Sequence, residues 1–186
     1  MPASNADLLL SNATPHDIPA LNTLIARSAR TLSAGFYTPA QIESAVRYVF
    51  HVDAQLVHDG SYFVVRSHDV TAGCGGWSAR AALLNASPDD HGRDTRQLDP
   101  ALHPARVRAM FVAPEFARRG IGRLLLNASL DGARAAGFAR VELMATLPGV
   151  PLYTAYGFEE IARESATLPD GVELPLVRMR RSTHRA

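Results

Sequence analysis

Cysteine is nearly missing from this chain: Cys74 stands alone among 186 residues, so no intrachain disulfide can form. An excess of charge of one sign is missing too. Nineteen Lys and Arg face 18 Asp and Glu, a formal net charge of +1, so nothing draws the chain as a whole toward nucleic acid or an anionic membrane. No apolar run is long enough to span a bilayer. Residues 1–7 lack both a basic n-region and an apolar h-region, which predicts a cytoplasmic protein. The seven histidines show no metal-ligand spacing, and Asp89-Asp90-His91 reads as a solvated loop, so no metal is expected. What the chain has in quantity is apolar residues, 47% of the total. They are enough to bury a core without disulfides or metals, in one domain covering residues 1–186.

The spacing of those residues predicts the elements. Leu8-Leu9-Leu10 is a short strand. Thr14 caps a first helix, with Pro15 at its first position, Asp17 at the capping-box place, and Ile18, Leu21, Leu24 and Ile25 on one face as far as about Ala29. Thr38 and Pro39 open a second helix that turns Ile42, Ala45, Val46 and Val49 inward and ends near Phe50. Residues 61–66 and 70–77 read as a hairpin, and Gly75 and Gly76 indicate a close backbone approach or a bulge in its second arm. Residues 78–104 are polar and read as one long loop, of a length that either covers a site or lacks order. A strand ending at Val112 follows, then a helix over 120–136 with Ile121, Leu124, Leu125 and Ala128 inward and Gly137 at its stop. A strand over 139–146, a short helix over 151–156, a strand from Gly157-Phe158 and a last strand over about 172–181 complete the chain. Pro175 places that last strand at an edge or a bulge. The order β, α, α, β, β, β, α, β, α, β, β defines an α/β protein, a mixed sheet with helices on both faces.

One segment carries chemistry. The β-prone run ending at Val112 feeds Ala113-Pro-Glu-Phe-Ala-Arg-Arg-Gly-Ile-Gly-Arg123, a basic glycine loop at the start of a helix. Free backbone N–H groups and the positive end of the helix dipole meet there, which favours an anion such as phosphate. Crowding Arg118, Arg119 and Arg123 at that end opposes the dipole and calls for a compensating anion. A Walker A loop is excluded, because Gly122 is followed by Arg123-Leu124 rather than Lys-[Ser/Thr]. A dinucleotide fingerprint is disfavoured as well, because Leu125 stands where the third glycine belongs. Cys74 has no basic partner nearby in sequence and reads as a small buried hydrophobe rather than a nucleophile.

The element order, the Pro-Glu then Arg-Arg-Gly-Ile-Gly loop, and the downstream Tyr153-x-x-x-Gly157-Phe158 together resemble the GCN5-related N-acetyltransferases (GNAT). The resemblance implies a mixed, mostly antiparallel sheet whose fourth and fifth strands splay apart. It implies acetyl-CoA as cosubstrate, with its pyrophosphate on Arg118, Arg119, Gly120, Ile121, Gly122 and Arg123 and its pantetheine and thioester against Phe111 and Val112. The Val112 N–H, at a strand bulge, would stabilise the oxyanion. Tyr153 would protonate the departing thiolate, a task suited to a phenol that stays protonated at neutral pH. Thr146, or the turn after it, would replace an asparagine common after the fifth strand. Phe36, Tyr37, Trp77 and the 78–104 loop would wall the acceptor.

The fourth strand departs from the family pattern. Arg108 stands where many members carry glutamate, so the general base is left open among Glu142, Asp94, His91 and a chain of waters. The expected function is acetyl transfer from acetyl-CoA to a primary amine, most simply of a small molecule, by direct attack in a ternary complex. A protein N-terminus or lysine is a variant within that class. A non-catalytic acyl-CoA-binding sensor is the alternative, because the usual strand-four base is missing. Acylation of aminoacyl-tRNA would call for a broad basic face, which the near-neutral charge disfavours. A homodimer is allowed.

Overall fold

The computed structural model describes residues 8–84 and 94–184; the candidate base His91 and most of the acidic tip of the long loop lie outside them. Seven strands form one sheet: β1 (Leu8–Asn12), β2 (Tyr62–Ser67), β3 (Val70–Ser78), β4 (Ala105–Val112), β5 (Arg140–Thr146), β6 (Glu159–Thr167) and β7 (Glu173–Ser182). Their order is β1-β2-β3-β4-β5-β7-β6. Every neighbouring pair is antiparallel except β4 and β5.

The helices are α1 (Ile18–Leu32), α2 (Pro39–Tyr48), α3 (Ala54–His58), α4 (Ile121–Ala135) and α5 (Val150–Ala155). Apolar residues of the first three pack on one face of the sheet with Tyr62, Val64 and Cys74. Those of α4 and α5 pack on the other face, against β4, β5 and β7. The first capping box is real: the Thr14 N–H and hydroxyl both donate to Asp17 at 2.8 Å. The helix opens with a 3-10 turn at Pro15–Asp17 and runs to Leu32. The second forms between Thr38 and Gln41. Helix α3 was not expected from the sequence. Five residues are too few for periodicity, although Asp53 as its cap and the left-handed Gly60 (φ 69°) just beyond its end are the usual boundary signals.

The inward face of α4 also differs from the expected one. Ile121 and Leu125 are buried as the spacing predicts, but Leu124 and Ala128 are only half-buried, and Leu126, Ser129, Leu130 and Ala133 complete the core stripe. The helix crosses a sheet on which β4 and β5 diverge, so its contact stripe turns around the axis. The long loop is tied at its stems. Arg80 pairs with Gln97, and the Leu98 N–H donates to the Ala79 carbonyl at 2.7 Å.

Strand β7 lies inside the sheet between β5 and β6, not at its edge. Pro175 is nevertheless tolerated, because pairing with β5 stops at Leu176 and only β6 continues beside it. There the missing N–H breaks no ladder.

Candidate active site

Strands β4 and β5 pair only at Ala105 with Val141 and at Arg106 with Glu142. Beyond that point they separate, and the expected splay is present. The β3–β4 register shifts by one residue between Cys74 and Gly76, so the extra residue sits on β4 around Ala109 and Met110. Ala109 takes a left-handed φ of 51°, and its carbonyl accepts the Tyr62 hydroxyl at 2.9 Å. Gly75 serves this bulge, since a Cβ there would lie 2.4 Å from the Met110 sulfur. The close backbone approach expected at Gly75 and Gly76 is present, a Cβ on Gly76 falling 2.2 Å from the Ser61 carbonyl oxygen. One expectation is corrected: the β4 bulge falls before Val112 rather than on it. Crowding of Met110 against β3 is the physical reason.

Val112 pairs with Gly73 in regular register. The next residue, Ala113, donates to the Ala72 carbonyl at 2.9 Å. By antiparallel alternation the Val112 N–H then points away from β3, into the gap toward β5.

A cleft open to solvent occupies that gap. Strand β4 lines it from Val107 to Phe111, and β5 contributes Leu143, Met144 and Thr146. Val49 and Phe50 close it from the end of α2, and Leu83 and Leu84 from the long loop. Phe50 and Phe111 meet edge to face at 5.4 Å. Tyr153 reaches the cleft from α5, 8% exposed, its ring edge to face with Phe158 at 5.6 Å. Its hydroxyl has no hydrogen-bond partner among the described residues, and burial pushes its pKa well above the ordinary phenol value. A protonated, unengaged donor therefore faces the cleft. Thr146 lies nearby: a Cβ on Gly149 would be 3.3 Å from its hydroxyl and 3.0 Å from the Tyr153 ring.

Three of the expected acceptor walls, Phe36, Tyr37 and Trp77, do not gather here. Tyr37 is buried, donating to the Pro175 carbonyl at 2.7 Å and accepting from the Leu147 N–H at 2.9 Å. It ties the α1–α2 linker to β7 and to the end of β5. Trp77 lies on the opposite face beneath α4, 6.2 Å from the Phe138 ring and pressed against Gly132. Phe36 is 52% exposed and lines no part of the cleft. In a strand the side chains alternate faces, so Trp77, three positions along β3 from Cys74 on the α1 side, falls on the α4 side. The expected 78–104 loop does line the cleft, through Leu83 and Leu84. Val49 and Phe50, the apolar exit of α2, are the walls that sequence reading missed.

Two candidate bases prove to be engaged elsewhere. Glu142 is buried, accepts Arg106 at 2.9 Å and Arg178 at 2.8 and 3.2 Å, and has Arg180 3.8 Å away. It sits where β4 and β5 still pair, not in the opening. Asp94 pairs with Arg96 at 3.5 Å and lines no part of the cleft. Arg108, in the place of the family's glutamate, donates to Asp53 at 3.2 Å and to the Ala82 carbonyl at 3.1 Å.

The glycine loop follows β4 directly. After a 3-10 turn at Pro114–Phe116, both Arg118 (φ 63°) and Gly120 (φ 84°) are left-handed, and α4 begins at Ile121. Alternating backbone handedness turns successive N–H groups into one concavity. The first helical bond runs from Leu124 to the Gly120 carbonyl at 3.0 Å. Among the described residues, the N–H groups of 118–123 have no backbone acceptor. No acidic residue occupies the first turn of α4. Arg119 stacks 5.2 Å from the Phe116 ring and Arg123 5.6 Å from that of Tyr156, and among the described residues neither these two nor Arg118 is paired with a carboxylate. A strained, non-glycine left-handed residue beside orphan donors and unpaired cations is the expected form of an anion cradle.

The model of the Acetyltransferase (GNAT) family matches residues 27–158, and the chain belongs to that family. Solved structures agree on the fold. A GCN5-related N-acetyltransferase from Rhodopseudomonas palustris superposes with a TM-score of 0.69 at 17% identity, covering 94% of each chain. The PaiA N-acetyltransferase of Thermoplasma acidophilum, in complex with coenzyme A, gives 0.65 at 14% identity, covering 94% of this chain and 98% of that one. The yncA acetyltransferase of Salmonella typhimurium, with its cofactor acetyl-CoA, gives 0.62 at 16%, covering 98% and 96%. No curated protein matches the chain by sequence. Among the described residues no helix is long and apolar enough to cross a membrane.

Proposed function

We propose that this protein transfers the acetyl group of acetyl-CoA to a primary amine of a small molecule, by direct attack within a ternary complex. The observation that supports the reading is the cleft between the parted strands β4 and β5, into which Tyr153 reaches. Strand β4 leads from it through Val112, whose N–H is turned away from β3, to the orphan N–H groups at the start of α4.

Acetyl-CoA supplies an activated acetyl thioester. The loop from Arg118 to Arg123 holds its pyrophosphate through backbone N–H groups backed by the α4 dipole. Phe111 and Val112 flank the pantetheine arm, and Thr146 offers a hydroxyl from the facing strand. As the amine attacks, the C–N bond forms and negative charge develops on the carbonyl oxygen, where the Val112 N–H donates. The C–S bond then breaks, and Tyr153 gives its proton to the thiolate. Its unengaged hydroxyl supports this role, because no competing hydrogen bond must break first.

The test is an amine panel with acetyl-CoA, followed by release of free thiol. Turnover on small amines supports transfer. Binding of acetyl-CoA without thiol release on any amine supports the sensor reading instead, which Arg108 in place of a carboxylate favours.

A further inference from the structure

Resting on the acetyltransferase reading, we infer that the acceptor is an apolar amine that arrives unprotonated, an aromatic amine rather than an alkylamine. The cleft walls are Val49, Phe50, Leu83 and Leu84 facing Phe111 and Met144. A charged ammonium entering such a space loses its hydration and gains no compensating carboxylate among the described residues, a penalty that burial of an unpaired charge carries.

The polar groups at the cleft do not take up the amine's proton. Arg108 is a cation already committed to Asp53 and to a backbone carbonyl. The Tyr153 hydroxyl is held in its protonated form by burial. Among the described residues the lining contains no carboxylate and no histidine. Glu142, the buried carboxylate on β5, has its oxygens occupied by arginines on the far side of the splay.

An alkylamine as basic as a lysine side chain is unprotonated in only about one molecule in ~10³ at pH 7. An aromatic amine is unprotonated there already, and its ring matches the apolar walls. The proton balance closes without a further base: the neutral amine attacks, the thiolate leaves with the Tyr153 proton, and the proton lost by the nitrogen as the amide forms returns through water to the Tyr153 phenolate.

The experiment compares aniline with benzylamine, which differ by one methylene and by basicity, on the intact protein with acetyl-CoA between pH 6 and 9. Binding of acetyl-CoA is followed separately by thermal shift. At pH 7 kcat/KM for aniline should exceed that for benzylamine by at least ~10-fold. The benzylamine value should rise about tenfold per pH unit, the signature of a proton lost before the chemical step, while the aniline value stays flat. Benzylamine preferred at pH 7, a flat benzylamine profile, or no turnover of aniline overturns the inference while leaving acetyl-CoA binding intact. Failure to bind acetyl-CoA overturns the acetyltransferase reading and this inference together.

Discussion

The Arg108 guanidinium donates to the Asp53 carboxylate at 3.2 Å, between side chains 1% and 3% exposed that stand 55 positions apart in the chain. Asp53 also caps α3, accepting the Gln55 N–H at 3.0 Å. A single carboxylate thus joins the start of α3 to the strand that carries the bulge. Such a pair holds geometry more than it adds stability, because desolvating both ions offsets most of their attraction.

Removing one partner has a different consequence. Asp53→Asn removes the carboxylate charge 3.2 Å from a buried guanidinium and should lower unfolding stability by about 3–5 kcal/mol. Urea denaturation with an unchanged m-value measures it. A loss below ~1 kcal/mol would show that Arg108 is satisfied without Asp53.

Acetyl-CoA should bind the folded chain alone. At about 100 times its dissociation constant it should add roughly 2.7 kcal/mol of stability, read as a rise in melting temperature. ATP with magnesium should do much less, and a larger shift with ATP would mean that the α4 loop has been misread.

Gly122 lies in the first turn of α4 with ordinary helical angles, so its backbone does not demand glycine as that of Gly120 does. A Cβ at Gly122 would meet only the end of the Leu152 side chain, at 3.0 Å, which can move. Gly122→Val should therefore fold, yet weaken acetyl-CoA binding at least about tenfold, or ~1.4 kcal/mol, by obstructing the phosphate. Isothermal titration on the folded variant decides, and unchanged affinity removes this glycine from the site.

Tyr153→Phe deletes a hydroxyl that bonds nothing, so stability should change little. Turnover should fall about 10²- to 10⁴-fold with acetyl-CoA affinity nearly unchanged, while Tyr156→Phe stays mild. Near-normal turnover of the first variant with chemistry rate-limiting, and loss in the second, would reassign the acid.

Burial pushes the Cys74 thiol up to about 12, the Tyr62 hydrogen bond only partly opposing it. A raised pKa keeps the group protonated throughout pH 7–9, where a free cysteine crosses into thiolate. Alkylation of the native protein should stay slow and hardly accelerate over that window. Rapid labelling that climbs tenfold per pH unit would place Cys74 in contact with solvent.

Most of the elements were legible because they are local. The Thr14–Asp17 capping box, the Thr38 cap, the β2–β3 hairpin and the Gly137 stop each depend on residues close to one another in the chain. The anion loop was legible for the same reason, although nothing in the sequence announced the left-handed Arg118. The acceptor walls were not legible. Whether Phe111 faces the cleft or α4 depends on the extra residue in β4 at Ala109 and Met110, beside Gly75 across the sheet. Tyr37 has the composition of a binding residue and the position of a tie between β5 and β7.

The sequence by itself determined the succession of strands and helices, the basic glycine loop at the start of α4, and the family to which the chain belongs. These follow from periodicity, caps and turn residues, whose energetics act over a few positions. Only the tertiary structure decided where β4 and β5 part, which side chains enter the opening, and that Glu142 is bound by arginines while Arg108 is bound by Asp53. Each of those outcomes depends on contacts between segments 36 to 55 residues apart, where pairing register and the need to neutralise buried charge, rather than local preference, select the partner.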